Sequence, residues 1–278
     1  MNNILNVEIE DLTVGLNQPV RVMSVINLSH ESFYKGAIAE DINRFHEMME
    51  AASRECADIV DIGGASTAPQ QIYGTTEISL EEELKRVTQA LETIEVSRCP
   101  PLSIDTTSAK VAEVALDFGV SMVNDISGLH ADPMMVDLIA ERGVPVVLMA
   151  NCGEPCASVQ ASLSSLHHSL QIANNAGVGR GKIILDPGIG FGKPPSVDVA
   201  ILQELNQFVG LGHPLLVGVS RKAFIGHILD QPDPEDRLLG SMVATTVAVM
   251  NGASVIRTHD VRETKVAVQM GEALRRSK

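Results

Sequence analysis

Aromatic side chains are scarce in this sequence: they make up 3% of its 278 residues, and tryptophan is absent. A close-packed core must therefore be built mainly from aliphatic side chains, and 45% of the residues are hydrophobic. The sequence also lacks any apolar run of about 18 residues, the length that a membrane-spanning helix needs. We therefore expect one large aliphatic core and no membrane span.

Positive charge is scarce as well. There are 21 lysines and arginines against 35 aspartates and glutamates, which gives a formal net charge of −14 at pH 7. This balance argues against nucleic-acid binding, because phosphate backbones are held by clustered lysine and arginine. If the protein binds a small anion, a few local cations must attract it against an unfavourable overall field.

The amino terminus and the cysteines indicate a cytoplasmic protein. The first residues, MNNI, have neither the basic start nor the apolar stretch of a signal peptide. Four cysteines are too few for a disulfide framework in a chain of this length. We therefore expect reduced thiols, including Cys152 and Cys156, whose spacing alone is a weak metal motif.

What the sequence does contain is a regular alternation of strand-like and helix-like segments. Eight short apolar runs lie at residues 22–26, 59–60, 102–104, 122–123, 146–149, 183–185, 215–219 and 255–256. Helical patterns lie at residues 41–56, from 79 onward, and at 108–118, 132–142, 158–176, 197–209, 234–251 and 260–276. Crossovers of helical length are typical of parallel strands.

This alternation predicts a single-domain α/β protein, a TIM (β/α)8 barrel over residues 1–278. An open doubly wound sheet is the alternative, but the G-x-G-x-x-G fingerprint is absent after the first strand. Residues 1–19 precede the first barrel strand, and we expect them to form a flap that closes the bottom of the barrel.

A polar residue follows seven of the eight runs directly, whereas the run at 146–149 is followed by a small apolar residue, Ala150. The polar residues at or near these ends are Asn27, Asp61, Asp105, Asn124, Asp186, Lys222, Arg257 and His259. A buried polar group without a partner costs about 1–3 kcal/mol, so structure alone does not readily explain so many. On a parallel barrel the carboxyl ends of the strands meet at one mouth, where a site would form.

The chemistry of these residues divides into two halves. Asp105, Asn124 and Asp186 suit a flat heterocycle that offers N–H donors, since a guanidine-like edge pairs with a carboxylate through two parallel hydrogen bonds. Lys222, Arg257 and His259 are donors and cations that suit a pyrophosphate, and Asn27 adds an oxygen ligand for a Mg²⁺ that the phosphates also bind.

Four nearby residues have structural interpretations. Asp61 either joins the site or orients its own glycine turn. Asp125 points away and braces the next loop, and Arg221 pairs with a neighbouring carboxylate. For Asp260 we favour a capping box with Glu263 at the start of the last helix.

Seven segments of the sequence resemble dihydropteroate synthases and occur in the order of that family. They are NLSHESF at 27–33, DIGGASTAP at 61–69, SIDT at 103–106, NDISGL at 124–129, DPGIGFGK at 186–193, VSRKAFIG at 219–226 and RTHDVRET at 257–264. The DPGIGFGK and SRK blocks are specific to the family. The SIDT and NDISG blocks also occur in pterin-dependent methyltransferases.

The resemblance implies a transferase that condenses 6-hydroxymethyl-7,8-dihydropterin pyrophosphate with an arylamine in folate or methanopterin biosynthesis and releases pyrophosphate. It implies a cytoplasmic homodimer that pairs through its last helices and uses Mg²⁺. Carried over by position, it assigns pterin binding to Asp105, Asn124, Asp186 and Lys222; pyrophosphate and Mg²⁺ binding to Asn27, Arg257 and His259; the arylamine border to Phe191, Pro69 and Lys222; loop closure to Thr67; and catalysis to Lys222, Arg257 and Glu31.

The departures from the family pattern lie on the arylamine and loop side, where Glu31 replaces the usual aspartate of the first loop. Ala68 replaces the usual arginine, Ala223 a serine, and Ala150 a histidine. The arylamine is therefore open between p-aminobenzoate and a ribosylated aniline phosphate. Two other functions stay in view: a pterin-dependent methyltransferase serving a corrinoid protein, and a pterin-binding protein without catalysis.

Overall fold

The computed structural model describes residues 5–29, 34–65 and 78–276. The strands of these ranges are β1 (Val7–Ile9), β2 (Leu12–Val14), β3 (Arg21–Asn27), β4 (Ile59–Gly63), β5 (Leu102–Asp105), β6 (Met122–Asp125), β7 (Val146–Met149), β8 (Ile183–Asp186), β9 (Leu216–Val217) and β10 (Val255–Thr258). The α-helices are α1 (Ile42–Arg54), α2 (Leu80–Leu91), α3 (Ala109–Asp117), α4 (Met134–Arg142), α5 (Val159–Asn175), α6 (Pro195–Gln203), α7 (Leu205–Val209), α8 (Ala223–Leu229), α9 (Leu238–Met250) and α10 (Val261–Arg276).

Strands β3 to β10 form one parallel sheet in the order β8-β7-β6-β5-β4-β3-β10-β9. A parallel bridge between Leu185 and Leu215 joins the two edges. The Leu185 N–H also donates to the Pro214 carbonyl at 2.9 Å. The sheet is thus a nearly closed barrel with helices between its strands, so the TIM-barrel prediction is confirmed. Each of the eight apolar runs overlaps a strand.

The helices begin where the sequence supplies side-chain caps. Asp41, Ser79, Ser108 and Ser158 each accept a hydrogen bond from a backbone N–H three residues later. The inward faces of the helices then pack on the barrel through aliphatic side chains, with Phe45 as a fully buried aromatic. Within the described ranges, no helix has both the length and the apolar character that crossing a membrane requires.

The amino-terminal end of the barrel is covered by the antiparallel hairpin β1–β2. Val7, Ile9 and Val14 of the hairpin are almost completely buried. They pack in one cluster with side chains from the strands, Met23, Ile59, Met122, Val147, Ile184, Leu216 and Val255. Since apolar packing fills this end, the polar residues at the carboxyl ends of the strands surround the other one.

Two features differ from the sequence expectations. A short helix, α8, follows Lys222 directly and was not predicted. In the loop after β7, Cys152 and Cys156 form a disulfide, so the prediction of two reduced thiols there is wrong. The loop turns at Gly153, where φ is +76°, and the two Cα atoms are 5.4 Å apart, within disulfide reach.

Candidate active site

Arg257 is the centre of a charged group at the mouth of the barrel. Its Nε lies 2.7 Å from Asp61 Oδ2, and its Nη2 lies 2.7 Å from Asp105 Oδ2. The Asn124 amide donates to the same Asp61 oxygen at 3.0 Å. We call these four residues the arginine group; they come from strands β4, β5, β6 and β10. The structure therefore brings together predicted residues that lie up to 196 positions apart.

The electrostatics of the arginine group keep its guanidinium charged. Asp61 and Asp105 are 0% and 1% exposed, and buried carboxylates are costly unless they are paired. Burial lowers the pKa of Arg257, but Asp61 and Asp105 outweigh it and raise that pKa above its usual value. Asp61 thus contacts Arg257 and Asn124, as the first of its two interpretations expects. Its second oxygen, Oδ1, has no hydrogen-bond partner within the described part of the chain.

A second group surrounds the glycine-rich loop that follows β8. Asp186 Oδ1 accepts from the Gly188 N–H at 2.7 Å, and Lys222 Nζ donates to the Ile189 carbonyl. The Phe191 ring lies 4.4 Å from the same Nζ. Burial raises the pKa of Asp186 and lowers the pKa of Lys222 to about 8, while the attraction between the two charges opposes both shifts.

Lys193 and Asp198 complete this second group, and sequence reasoning missed both. Lys193 Nζ donates to the Gly188 carbonyl, and Asp198 Oδ1 accepts from the Gly190 N–H at 2.8 Å. They are 5% and 2% exposed. Lys193 ends the DPGIGFGK block, which was a usable signal, whereas Asp198 reads as an ordinary acidic residue in the first turn of a helix. We call Asp186, Lys193, Asp198 and Lys222 the lysine group.

His259 lies beside these groups and is neutral. Burial, together with the positive charges of Arg257, Arg221 and Lys222, lowers its pKa to about 3. In this structure His259 is a hydrogen-bonding group, with Nδ1 2.9 Å from Ser220 Oγ. Its expected role beside the pyrophosphate stays a prediction. The Tyr34 ring stands edge-on to it, with the ring centroids 5.1 Å apart.

Three charged residues near the mouth were given structural roles from the sequence, and the structure confirms two of these roles. Arg221 pairs with both carboxylate oxygens of Asp260, at 2.9 and 2.7 Å, which confirms the predicted ion pair. The capping box of Asp260 with Glu263 is not formed: among the described contacts, the Asp260 carboxylate accepts from Arg221 and Ser220, and no N–H of α10 donates to it. Asp125 braces its own loop as expected, since it accepts from the N–H groups of Ser127 and Leu129 at 2.8 and 2.7 Å.

Asn27 ends strand β3 at the same mouth. A Cβ built on Gly63 would lie 3.4 Å from the Asn27 side-chain oxygen and 3.7 Å from Asp105 Cβ, so this amide lies beside the arginine group. Among the described residues, no three His, Cys, Asp or Glu side chains are grouped to hold a metal ion. Three predicted residues, Glu31, Thr67 and Pro69, lie outside the described ranges, as does Ala68.

Comparison with known proteins gives this geometry a family. The family model described as "Pterin binding enzyme" matches residues 23–259. The fold and the mouth therefore define the class as pterin-binding barrel enzymes. The dihydropteroate synthase of Bacillus subtilis (strain 168) is 38% identical over 255 residues, which cover 91% of this chain and 88% of that protein.

Solved structures of other proteins indicate the same family. A dihydropteroate synthase from Coxiella burnetii, in complex with pteroic acid, superposes with a TM-score of 0.86 at 34% identity and covers 100% of both chains. The Xanthomonas albilineans dihydropteroate synthase with 4-aminobenzoic acid has a TM-score of 0.86 at 33% identity and covers 98% of both chains. The chain belongs to the dihydropteroate synthase family and is a transferase.

Proposed function

We propose that the protein joins 6-hydroxymethyl-7,8-dihydropterin pyrophosphate to p-aminobenzoate and releases pyrophosphate. The observation that carries the proposal is the meeting of the arginine group and the lysine group at one barrel mouth. A Cβ built on Gly218 would lie 3.7 Å from Arg257 Cβ and 3.8 Å from Lys222 Nζ. The names of the relatives support it, and so do the pteroic acid and 4-aminobenzoic acid bound to two of the similar structures.

In this proposal the pterin is held by Asp105, Asn124 and Asp186. A pterin presents a guanidine-like edge of N–H donors, and a carboxylate binds such an edge through paired hydrogen bonds. The Arg257 guanidinium already donates one hydrogen bond to Asp61 and one to Asp105. The acids of the mouth are therefore arranged for planar, cationic or N–H-rich groups. Asp61 Oδ1 offers one further acceptor.

The leaving pyrophosphate is bound by cations and hydrogen-bond donors of the same mouth. Arg257 and Lys222 supply positive charge where the departing oxygen becomes negative. His259 contributes a neutral donor: when Ser220 donates to Nδ1, the ring proton sits on Nε2 and is available to a phosphate oxygen.

Magnesium fits this donor set through Asn27. One amide oxygen is a sufficient protein ligand, because Mg²⁺ keeps several waters and is commonly completed by substrate phosphates. When bound, the ion would neutralise charge on the pyrophosphate. The absence of a three-residue acidic or histidine cluster among the described residues agrees with a site that needs the substrate's own oxygens.

The transfer itself needs no protein nucleophile. The bond between the pterin methylene carbon and the bridging phosphate oxygen breaks, and its electron pair leaves with pyrophosphate. The arylamine nitrogen then attacks the methylene carbon, and the new C–N bond forms as the amine loses a proton to solvent. Phe191 and Lys222 border the arylamine, since the ring and the ammonium lie 4.4 Å apart at the edge of the pterin pocket.

We also infer a homodimer that pairs through α9 and α10. Exposed apolar side chains lie on both helices: Leu239 and Val243 on α9, and Val266, Met270 and Leu274 on α10. Leu239→Glu or Val266→Glu should convert a dimer into a monomer in sedimentation velocity. Met134→Glu is the matched control, because Met134 is 62% exposed on α4. A wild-type monomer at micromolar concentration would contradict this inference.

A pyrophosphate-release assay tests the proposed function. We expect Mg²⁺-dependent turnover with p-aminobenzoate and none with the ribosylated aniline phosphate. Turnover with the phosphorylated aniline alone would assign the other arylamine. Pterin binding without release would indicate a non-catalytic binder. No binding of pyrophosphate and Mg²⁺ in calorimetry would favour the methyltransferase, which the comparisons do not favour.

A further inference from the structure

Three consecutive residues of the glycine-rich loop are each held by a charged side chain. Lys193 donates to the carbonyl of Gly188, and Lys222 donates to the carbonyl of Ile189. Asp198 accepts from the N–H of Gly190 at 2.8 Å. The lysine group therefore holds the loop in its shape, and Asp198 is the member that holds Gly190.

Gly190 is the residue against which Lys222 lies. Its φ is +79°, and a Cβ built there would overlap the Lys222 side chain. The next residue is Phe191, whose ring faces the Lys222 ammonium at 4.4 Å. A displacement of Gly190 would therefore change the surface against which the Lys222 side chain packs, and it would also move the Phe191 ring beside that side chain.

Asp198 stands in the first turn of α6, where helix packing alone would favour an apolar side chain. It is 2% exposed, and its buried helix neighbours include Ile201 and Leu202. Buried charge networks are often no more stable than apolar replacements of similar volume. Stability is thus a weak reason for a carboxylate at this position. The hydrogen bond that Asp198 makes connects it instead to the glycine-rich loop.

We propose that Asp198 is a positioning residue for the transfer reaction. Its hydrogen bond to Gly190 fixes the loop that seats Lys222 and Phe191, and its negative charge balances the positive charge of Lys222. The statement about the reaction rests on the proposed function, whereas the two physical effects on the loop and on Lys222 do not.

The charges that face Lys222 give the direction of the effect. Asp186 on β8 and Asp198 on α6 raise its pKa, whereas Arg257 on β10 and Lys193 in the loop lower it. Burial is the largest influence and brings the pKa to about 8. Removal of the Asp198 charge should therefore lower the pKa of Lys222 further.

Two variants separate the charge of Asp198 from its hydrogen bond. Asp198→Asn keeps a side-chain oxygen that accepts from Gly190 but removes the charge. Asp198→Ala removes both. Asp58→Asn is the matched control at the opposite end of the barrel, where Asp58 accepts from the Val22 N–H at 2.8 Å and pairs with Lys265 at 2.6 Å.

The first readout does not depend on activity. Protein labelled with ¹³Cε-lysine is titrated by NMR, and the Lys222 resonance is assigned with Lys222→Met. We expect it to titrate at lower pH in both Asp198 variants and at the wild-type pH in Asp58→Asn. Should Asp198→Ala fail to fold, Asp198→Asn decides the charge effect.

The second readout is steady-state kinetics. The alkaline limb of kcat/KM should move to lower pH in both Asp198 variants. In Asp198→Ala, KM for p-aminobenzoate should also rise about tenfold, the size of one lost buried hydrogen bond, while Asp198→Asn keeps KM near wild type. Asp58→Asn should change only the unfolding midpoint.

An unmoved Lys222 titration in Asp198→Asn, or an equal movement in Asp58→Asn, would overturn the charge balance. Wild-type KM in a folded Asp198→Ala would overturn the loop-seating role. Failure of the proposed function looks different: the wild type would release no pyrophosphate, and the NMR titration would still decide whether Asp198 acts on Lys222.

Discussion

The arginine group and the lysine group share one barrel mouth but are built differently. The members of the arginine group all stand on strands and contact each other directly, through two ion pairs of 2.7 Å and one amide hydrogen bond. The members of the lysine group stand on β8, α6 and the flanking loops, and they mainly hold backbone groups of the glycine-rich loop.

This difference decides which group titrates. Each carboxylate in the arginine group has a guanidinium partner, so the pKa of Arg257 is raised and its guanidinium stays charged. The lysines donate mainly to carbonyl oxygens, which compensate a buried ammonium less well than carboxylates do, so burial lowers the pKa of Lys222 to about 8. A permanently charged guanidinium and a titratable ammonium therefore meet at the mouth of the barrel.

The largest expected effect comes from breaking the arginine group. Arg257→Ala leaves Asp61 and Asp105 buried without their partner, which should cost about 3–5 kcal/mol of unfolding free energy. Urea unfolding measures the loss. The control is Arg142→Ala, because the Arg142–Asp117 pair is exposed and should contribute less than about 1 kcal/mol.

A second variant sharpens this test. The triple variant Asp61→Asn, Asp105→Asn, Arg257→Ala removes the carboxylate charges along with the guanidinium, so it should recover part of the lost stability. Equal midpoints for Arg257→Ala and Arg142→Ala would contradict the buried pairing.

Removing the charge of Asp186, one of the two acids of the lysine group, should instead affect binding. Asp186→Asn removes the carboxylate that we expect to hold the pterin edge, and it should weaken pterin binding about 100-fold, the cost of two charge-assisted hydrogen bonds. Calorimetry with 6-hydroxymethylpterin measures it. Asp132→Asn is the control, since Asp132 holds the N–H groups of Ala109 and Met134 in a neighbouring loop. Wild-type affinity in Asp186→Asn would remove Asp186 from the pterin pocket.

The arginine group was partly predictable from sequence, and the lysine group much less so. A residue at the end of a buried strand has a known position, because parallel strands align their carboxyl ends; this placed Asp105, Asn124 and Arg257 together. The Arg257–Asp61 pairing was not predictable, since no local signal joins residues 196 positions apart.

Residues outside the strand ends carried weaker signals. Asp198 acts on a loop that precedes it, and the sequence pattern shows only a helix start. The disulfide between Cys152 and Cys156 depends on a turn whose shape spacing does not define. The barrel, in contrast, followed from the regular alternation of eight short apolar runs with helical patterns, a local signal that recurs along the chain.

The titratable ammonium predicts an alkaline limit on activity. If protonated Lys222 binds the substrates, kcat/KM should fall about tenfold per pH unit above pH 8, because kcat/KM reports the free enzyme. Lys222→Arg should move this limb beyond pH 10 even if the rate is lower, since an arginine stays charged there. A limb that stays near pH 8 in Lys222→Arg would assign the titration to another group.

The smallest expected effect is an acid sensitivity that His259 introduces. Its folded-state pKa of about 3 lies below the ordinary value of 6.5, so the unfolded chain binds more protons between these pH values. Stability should therefore fall as pH decreases from 6.5 towards 3, by about 1 kcal/mol near pH 5 for this partly exposed ring. His259→Gln should flatten that part of the curve.

His46→Gln is the control for the His259 variant, since the pairing of His46 with Thr93 is exposed. Urea unfolding at pH 7, 6 and 5 gives the difference between variant and wild type, which cancels the opposing contributions of carboxylates whose pKa burial raises, such as Asp186 and Asp125. Parallel curves for His259→Gln and wild type would mean that the ring is already protonated at pH 6, and then it would bind pyrophosphate as a cation after all.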